Sequence, residues 1–136
     1  MPNTQLHVAR CEEHVTRAET ASRVTHICEE ISVRLEEIER LSQQLQGVTT
    51  RAEVCCLLSS IEGVALRAHA ASEQYTRSAV DEADEVDAIA RDGVCDEDVE
   101  NAVAAAKAAL RAQSSAMEAA DAARHCWMIA NGVEIA

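Results

Sequence analysis

Apolar residues recur at helical spacing along nearly the whole chain. Between residues 4 and 46, Val24, Cys28, Ile31, Leu35, Ile38 and Leu45 stand four and three apart, with the rhythm broken at Ser42. This is the spacing of a coiled-coil seam. Ile27 and Leu41 lie beside it and widen the stripe to that of a helix with two neighbours. From residue 50 to 91 the pattern continues through Val54, Leu57, Ile61, Val64, Ala68, Ala71, Tyr75, Ala79, Ala83, Val86 and Ala90. A third stripe, in residues 96–131, comprises Val99, Val103, Ala106, Leu110, Met117, Ala120 and Trp127.

Punctuation between the stripes sets the element boundaries. Gly47 supplies a left-handed cap, and Thr50 with Glu53 makes a capping box for the next helix. Asp92 and Gly93 end that helix, Asp96 is an N-cap for the third, and Gly132 closes it. Proline occurs only at Pro2, so nothing else interrupts helix. The pattern predicts an all-α fold, an up-down-up bundle of three long antiparallel helices over about 4–46, 50–91 and 96–131, packed as in a coiled coil within one domain of residues 1–136. Each helix would be roughly 60 Å long at 1.5 Å per residue. The stripes place Ile31, Leu35, Ile38, Leu57, Ile61, Val64, Leu110, Met117 and Trp127 in the core.

Composition changes the picture in one respect. The chain has no Phe and only Tyr75 and Trp127 as aromatics, and its third helix is dominated by Ala. Small side chains let helices approach closely but bury little apolar area, at about 0.8 kcal/mol per methylene. Stability is therefore expected to lean on a partner or a second copy of the chain.

Charge narrows the partner. The net charge is −12, and residues 81 to 100 alone hold ten acidic side chains against Arg91, a local net of −9. Such a chain repels nucleic acid and anionic membrane, and a protein with a basic surface fits it best. Asp81, Asp84, Glu85, Asp87, Asp96, Glu97, Asp98 and Glu100 would coat one tip of the rod and form the expected partner-binding site. Met1 to Val15 does not read as a secretory signal, and uncharged runs such as Val54 to Ile61 are too short to span a bilayer. A cytoplasmic location follows, where the six scattered cysteines are free thiols.

Candidate chemistry is sparse. No phosphate-binding glycine loop, nucleophile elbow or catalytic constellation occurs, so no enzyme activity, catalytic residue or cofactor is expected. His7, Cys11 and His14 share one helical face and are the sharpest candidates for metal ligands, against a reading as half-buried residues of a fraying seam. His26, Cys28 and His69 come level with Glu118 in a folded bundle, but no E-x-x-H motif supports a di-metal site. The sequence thus points to a non-enzymatic protein–protein interaction module, a complex subunit, adaptor or small chaperone that uses its helical faces and acidic tip. The rival readings are a metal-binding or redox bundle and an acidic inhibitor that mimics nucleic acid.

Overall fold

A computed structural model describes residues 4–44, 48–90 and 96–132. It holds three helices, α1 (Thr4–Gln44), α2 (Val48–Ala90) and α3 (Asp96–Ala130), and no strand among the described residues. The expected turn residues Gly47, Asp92 and Gly93, together with Leu45 and Cys95, lie outside those residues. The second helix begins at Val48, two residues ahead of Thr50, so Thr50 stands within the helix and not at its cap. At the other end of the chain Gly132 has a φ of 70° and its N–H reaches the Ile129 carbonyl at 3.1 Å. Asn131 caps the same turn, donating from both its backbone and its side chain to the Trp127 carbonyl.

All three helices pack on one another. Contacts fix their directions. Against α2, α1 runs antiparallel, with His7 beside Glu82 at one end and Glu39 beside Arg51 at the other. Antiparallel pairing also joins α2 to α3, since Thr76 donates to the Ala109 carbonyl and Cys55 to the Ala130 carbonyl. The bundle is up, down and up, as the periodicity predicts.

What fills it is only in part what the periodicity predicts. Ile31, Ile38, Leu57, Val64, Leu110 and Met117 are between 39% and 51% exposed. Leu35, Ile61 and Trp127 are only half-buried. In α1 the buried residues are Thr4, Val8, Cys11, Ala18, Ala21, Ser22, Thr25, Cys28, Ser32 and Glu39, of which Cys28 belongs to the expected stripe. Thr25, Ser32 and Glu39 keep the heptad spacing but sit one residue beyond Val24, Ile31 and Ile38. In α2 Leu58, Ala65 and Ser72 take the place expected of Leu57, Val64 and Ala71, and in α3 Ala102, Ala109 and Ala116 take that of Val103, Leu110 and the next heptad position, Met117. One residue is about 100° of helix rotation. At these positions the buried face lies roughly a quarter-circle from the largest side chains, one residue forward in α1 and α2 and one residue back in α3, while Cys28, Val54, Ala79, Ala83, Val86, Ala106 and Ala120 of the expected stripes are buried.

Close approach accounts for this choice. Interiors made of Ala, Ser, Thr and Cys bring backbones together, and the buried hydroxyls find acceptors there. Thr25 donates to Ser22, Ser32 to Cys28 and Ser72 to His69, each to a carbonyl of its own helix at 2.6 to 2.8 Å. Thr76 instead reaches across to Ala109 at 2.9 Å, and the Cys11 thiol lies 3.3 Å from the carbonyls of both Ala79 and Ala102, tying α1 to its two neighbours. The largest fully buried side chain is Leu58, which packs with Val54, Cys126 and Ala130.

Gly63 sits inside α2, where a β-carbon would meet only the end of the Arg67 guanidinium, at 3.5 Å. Gly63→Ala is expected to stabilise the protein by about 1 kcal/mol, since Ala costs less backbone entropy in a helix and nothing obstructs it. Urea denaturation measures the shift; a loss of stability would show that the helix is strained at that point.

Candidate interaction surface

The rotation that buries small residues brings the large ones to the surface in order. Val24 lines a groove between α1 and α2 together with Arg17, Thr20, Ala68, Ala71 and Tyr75. Ile31 and Ile38 repeat Val24 at seven-residue steps, and Val64 and Leu57 repeat Ala71 in the opposite direction along α2. Seven-residue steps return to the same helical face, so the five form one ladder along this groove. Ile27 and Leu41, the most exposed of the set at 55% and 59%, stand on its outer edge. Leu66, Val103, Leu110, Met117 and Ile129 add further exposed apolar side chains on α2 and α3. The most apolar window of α2, within Arg51–Ile89, is only 17% buried.

One end of the groove is closed by an aromatic clasp. Tyr75 stacks on His14 with ring centroids 6.4 Å apart, and the Arg17 guanidinium lies 5.6 Å from the Tyr75 ring centre. At the other end the Arg51 Nε lies 3.3 Å from the largely buried Glu39 carboxylate.

The acidic residues sit at the opposite end of the rod from the ladder. Asp81, Asp84, Glu85 and Asp87 lie in the last turns of α2, and Asp96, Glu97, Asp98 and Glu100 in the first turns of α3. Val86, Val99 and Ala102 share one core cluster, which brings these two segments side by side. Asp81, Asp84, Glu85, Asp87, Glu97 and Glu100 are exposed and Asp98 half-buried. Glu82 differs from its neighbours in turning inward to His7 Nδ1 at 2.5 Å and to Arg10 at 4.0 Å.

The histidines and cysteines are directed to separate partners. His7 pairs with Glu82, Cys11 is fully buried against backbone carbonyls, and His14 stacks on Tyr75 with its Nδ1 buried and unpartnered. Further along, His26 meets Ser115 Oγ at 2.5 Å and Glu29 at 3.4 Å. His69 Nε2 is 4.0 Å from Glu73, a distance that gives Coulomb attraction without a hydrogen bond, and it too is buried without a partner. No group of three or more His, Cys, Asp or Glu placed to hold a metal occurs among the described residues.

Cys11, Cys28, Cys55, Cys56 and Cys126 are free thiols. Burial pushes the Cys126 thiol up to about 11, with its hydrogen bond to Glu36 adding to the effect; burial likewise raises Cys11 and Cys28. Cys56 is exposed. Alkylation of the folded protein at neutral pH should modify the exposed Cys56 first and Cys126 far more slowly, because Cys126 is buried and its reactive thiolate is disfavoured there. Peptide mapping of timed iodoacetamide samples reads the order, and early labelling of Cys126 would mean that the α3 end of the core opens.

Among the described residues only α2, from Arg51 to Ile89, is long and apolar enough to cross a membrane by length and composition. The sequence reading considered uncharged runs alone and passed over it. Glu62 and Arg67 interrupt that stretch, and its Val54, Leu58 and Ala65 pack within the bundle. Comparison with protein-family models, with curated proteins and with solved structures gives no match.

Proposed function

We propose that the protein is a non-enzymatic interaction module, an adaptor or subunit of a larger assembly, whose principal contact is the apolar ladder of α1 and α2. The observation that carries this reading is the inversion of side-chain size: apart from Val8, Val54, Leu58, Val86 and Glu39 the core is filled by Ala, Ser, Thr and Cys, while Val24, Ile27, Ile31, Ile38, Leu41, Leu57 and Val64 are 36% to 59% exposed. Their combined exposed surface is on the order of 500 Å², near the top of the roughly 300–600 Å² that the largest apolar patch on a monomer reaches. Patches of that size are often functional. The acidic tip serves as the second contact, one that steers a basic protein toward the rod and speeds its association. Its eight carboxylates favour such a partner over nucleic acid or anionic lipid. Five free thiols, three of them buried, suit the reducing cytoplasm.

In-cell cross-linking with the wild-type chain and with Ile31→Glu tests the reading. Both variants should be equally helical, since residue 31 is exposed, and the captured protein should be lost only with Ile31→Glu. Exchanging Asp84, Glu85, Asp96 and Asp98 for their amides should slow association and flatten its salt dependence without abolishing the complex. Capture indifferent to both sets of substitutions would remove the two surfaces together.

A further inference from the structure

Charge is distributed along this rod so that its two halves differ in kind. Residues 71–110, which include the acidic tip, carry eleven acidic and three basic side chains, a net of −8. Residues 48–70 and 111–130 each carry two of either sign, and residues 24–44 have five acidic against two basic. The apolar ladder lies in this second, weakly charged half. Around it Arg34 and Arg67 alternate with Glu30, Glu37 and Glu53, all exposed. A rim with both signs is self-complementary, because under two-fold symmetry each basic position is offered the acidic positions of an identical neighbour.

Geometry then decides the orientation. A two-fold axis near Ile31 and Val64 places the first residues of α1, at the acidic end, roughly 40 Å from the axis at 1.5 Å per residue. In an antiparallel pair the acidic ends are thus about 80 Å apart, many times the Debye length of about 8 Å at physiological salt. Parallel pairing would instead lay two surfaces of −8 side by side. The ladder's exposed surface, on the order of 500 Å², supplies the apolar centre of the roughly 800 Å² per partner that a standard interface buries, and the charged rim would supply the remainder.

We infer that the α1–α2 groove is covered by a second copy of the chain, packed antiparallel through Val24, Ile31, Ile38, Leu57 and Val64 with the acidic tips at opposite ends. The inference rests on the interaction reading and gives the ladder its occupant.

Sedimentation velocity of the full chain at micromolar concentration and at low and high salt tests it. The expected species has twice the 14.7 kDa chain mass. Its dissociation constant should change little with salt, and Ile31→Glu combined with Val64→Glu should raise it at least about 100-fold by placing unpaired carboxylates in an apolar contact. Circular dichroism confirms that the variant is folded, and should the charges melt the helices, Ile38→Ser with Leu57→Ser probes the same contact. A dimer that the substitutions leave intact assigns the contact elsewhere and overturns the inference, as does one that tightens steeply with salt, the mark of parallel tips. A wild-type monomer whose cross-linked partner is lost with Ile31→Glu overturns the second copy and leaves the interaction reading standing. Monomers that co-sediment with phosphatidylcholine vesicles overturn both, giving the ladder to lipid.

Discussion

Leu58→Ala is expected to lower the unfolding free energy by about 3 to 4 kcal/mol, within the usual 2 to 5 kcal/mol for a buried Leu truncation, while Leu57→Ala, at a dilution where the chain is monomeric, costs less than about 1 kcal/mol. Leu58 is fully buried among Val54, Cys126 and Ala130, with Leu35, Cys55 and Trp127 packed against the same cluster. Leu57, next in sequence, is 51% exposed. Paired urea titrations of the two variants read the rotation of α2 directly. Equal losses, or a larger loss at Leu57, would mean that the helix is turned as its apolar stripe suggests and that the exposed ladder does not exist.

The second large effect comes from adding bulk. Ala109 is fully buried in the cluster formed by Val8, Cys11, Ala79 and Ala102, and its carbonyl receives the Thr76 hydroxyl from α2. Ala109→Leu forces three more carbons between backbones held close by that bond. Overpacking usually costs 1 to 3 kcal/mol; here the upper end, about 3 kcal/mol, is expected, because the helices must separate and the Thr76 hydroxyl loses its acceptor as well. The contrasting Leu110→Ala, at a half-exposed neighbour, should be nearly silent. Thermal melts of the two variants report the difference, and a neutral Ala109→Leu would place spare room where the structure has none.

The extent of the helices was legible in the sequence because period and punctuation agree. With glycines only at 47, 63, 93 and 132 and a single Pro at the start, helix propagates from Thr4 to Ala130 wherever the structure is described. The orientation of the helices was legible only in part, with Cys28, Val54, Ala79, Val86 and Ala120 buried as their spacing suggests and the larger side chains exposed, and the reason is particular. Two stripes with the same heptad spacing run side by side, one of Val24, Ile31 and Ile38, the other of Thr25, Ser32 and Glu39, and a hydrophobicity count prefers the first. Tertiary packing preferred the second, because hydroxyls that bond to helix carbonyls no longer behave as polar residues. The signal that would have found it is the repetition of small residues, Ala18, Ser22, Thr25 and Ser32 on α1 against Ala65, Ser72, Thr76 and Ala79 on α2, at spacings of three, four and seven. The acidic tip was legible from composition alone. The large apolar residues of the ladder were in view as well, but their spacing placed them in the core, where the structure leaves them exposed.

An interior of methyl and hydroxyl groups also leaves a mark on how the protein responds to temperature. The heat capacity of unfolding grows with apolar surface newly exposed to water and falls with polar surface, averaging about 12–15 cal/mol/K per residue in ordinary domains. In this monomer the large side chains already meet water in the native state, and part of what unfolding uncovers is Ser, Thr and backbone carbonyl. The heat-capacity change therefore lies below that average, and the stability curve is correspondingly broad and shallow, with cold and heat unfolding far apart. Covering the ladder reverses the trend: each Ile and Leu hidden in a contact returns apolar area to the account of unfolding, so the curve steepens on association.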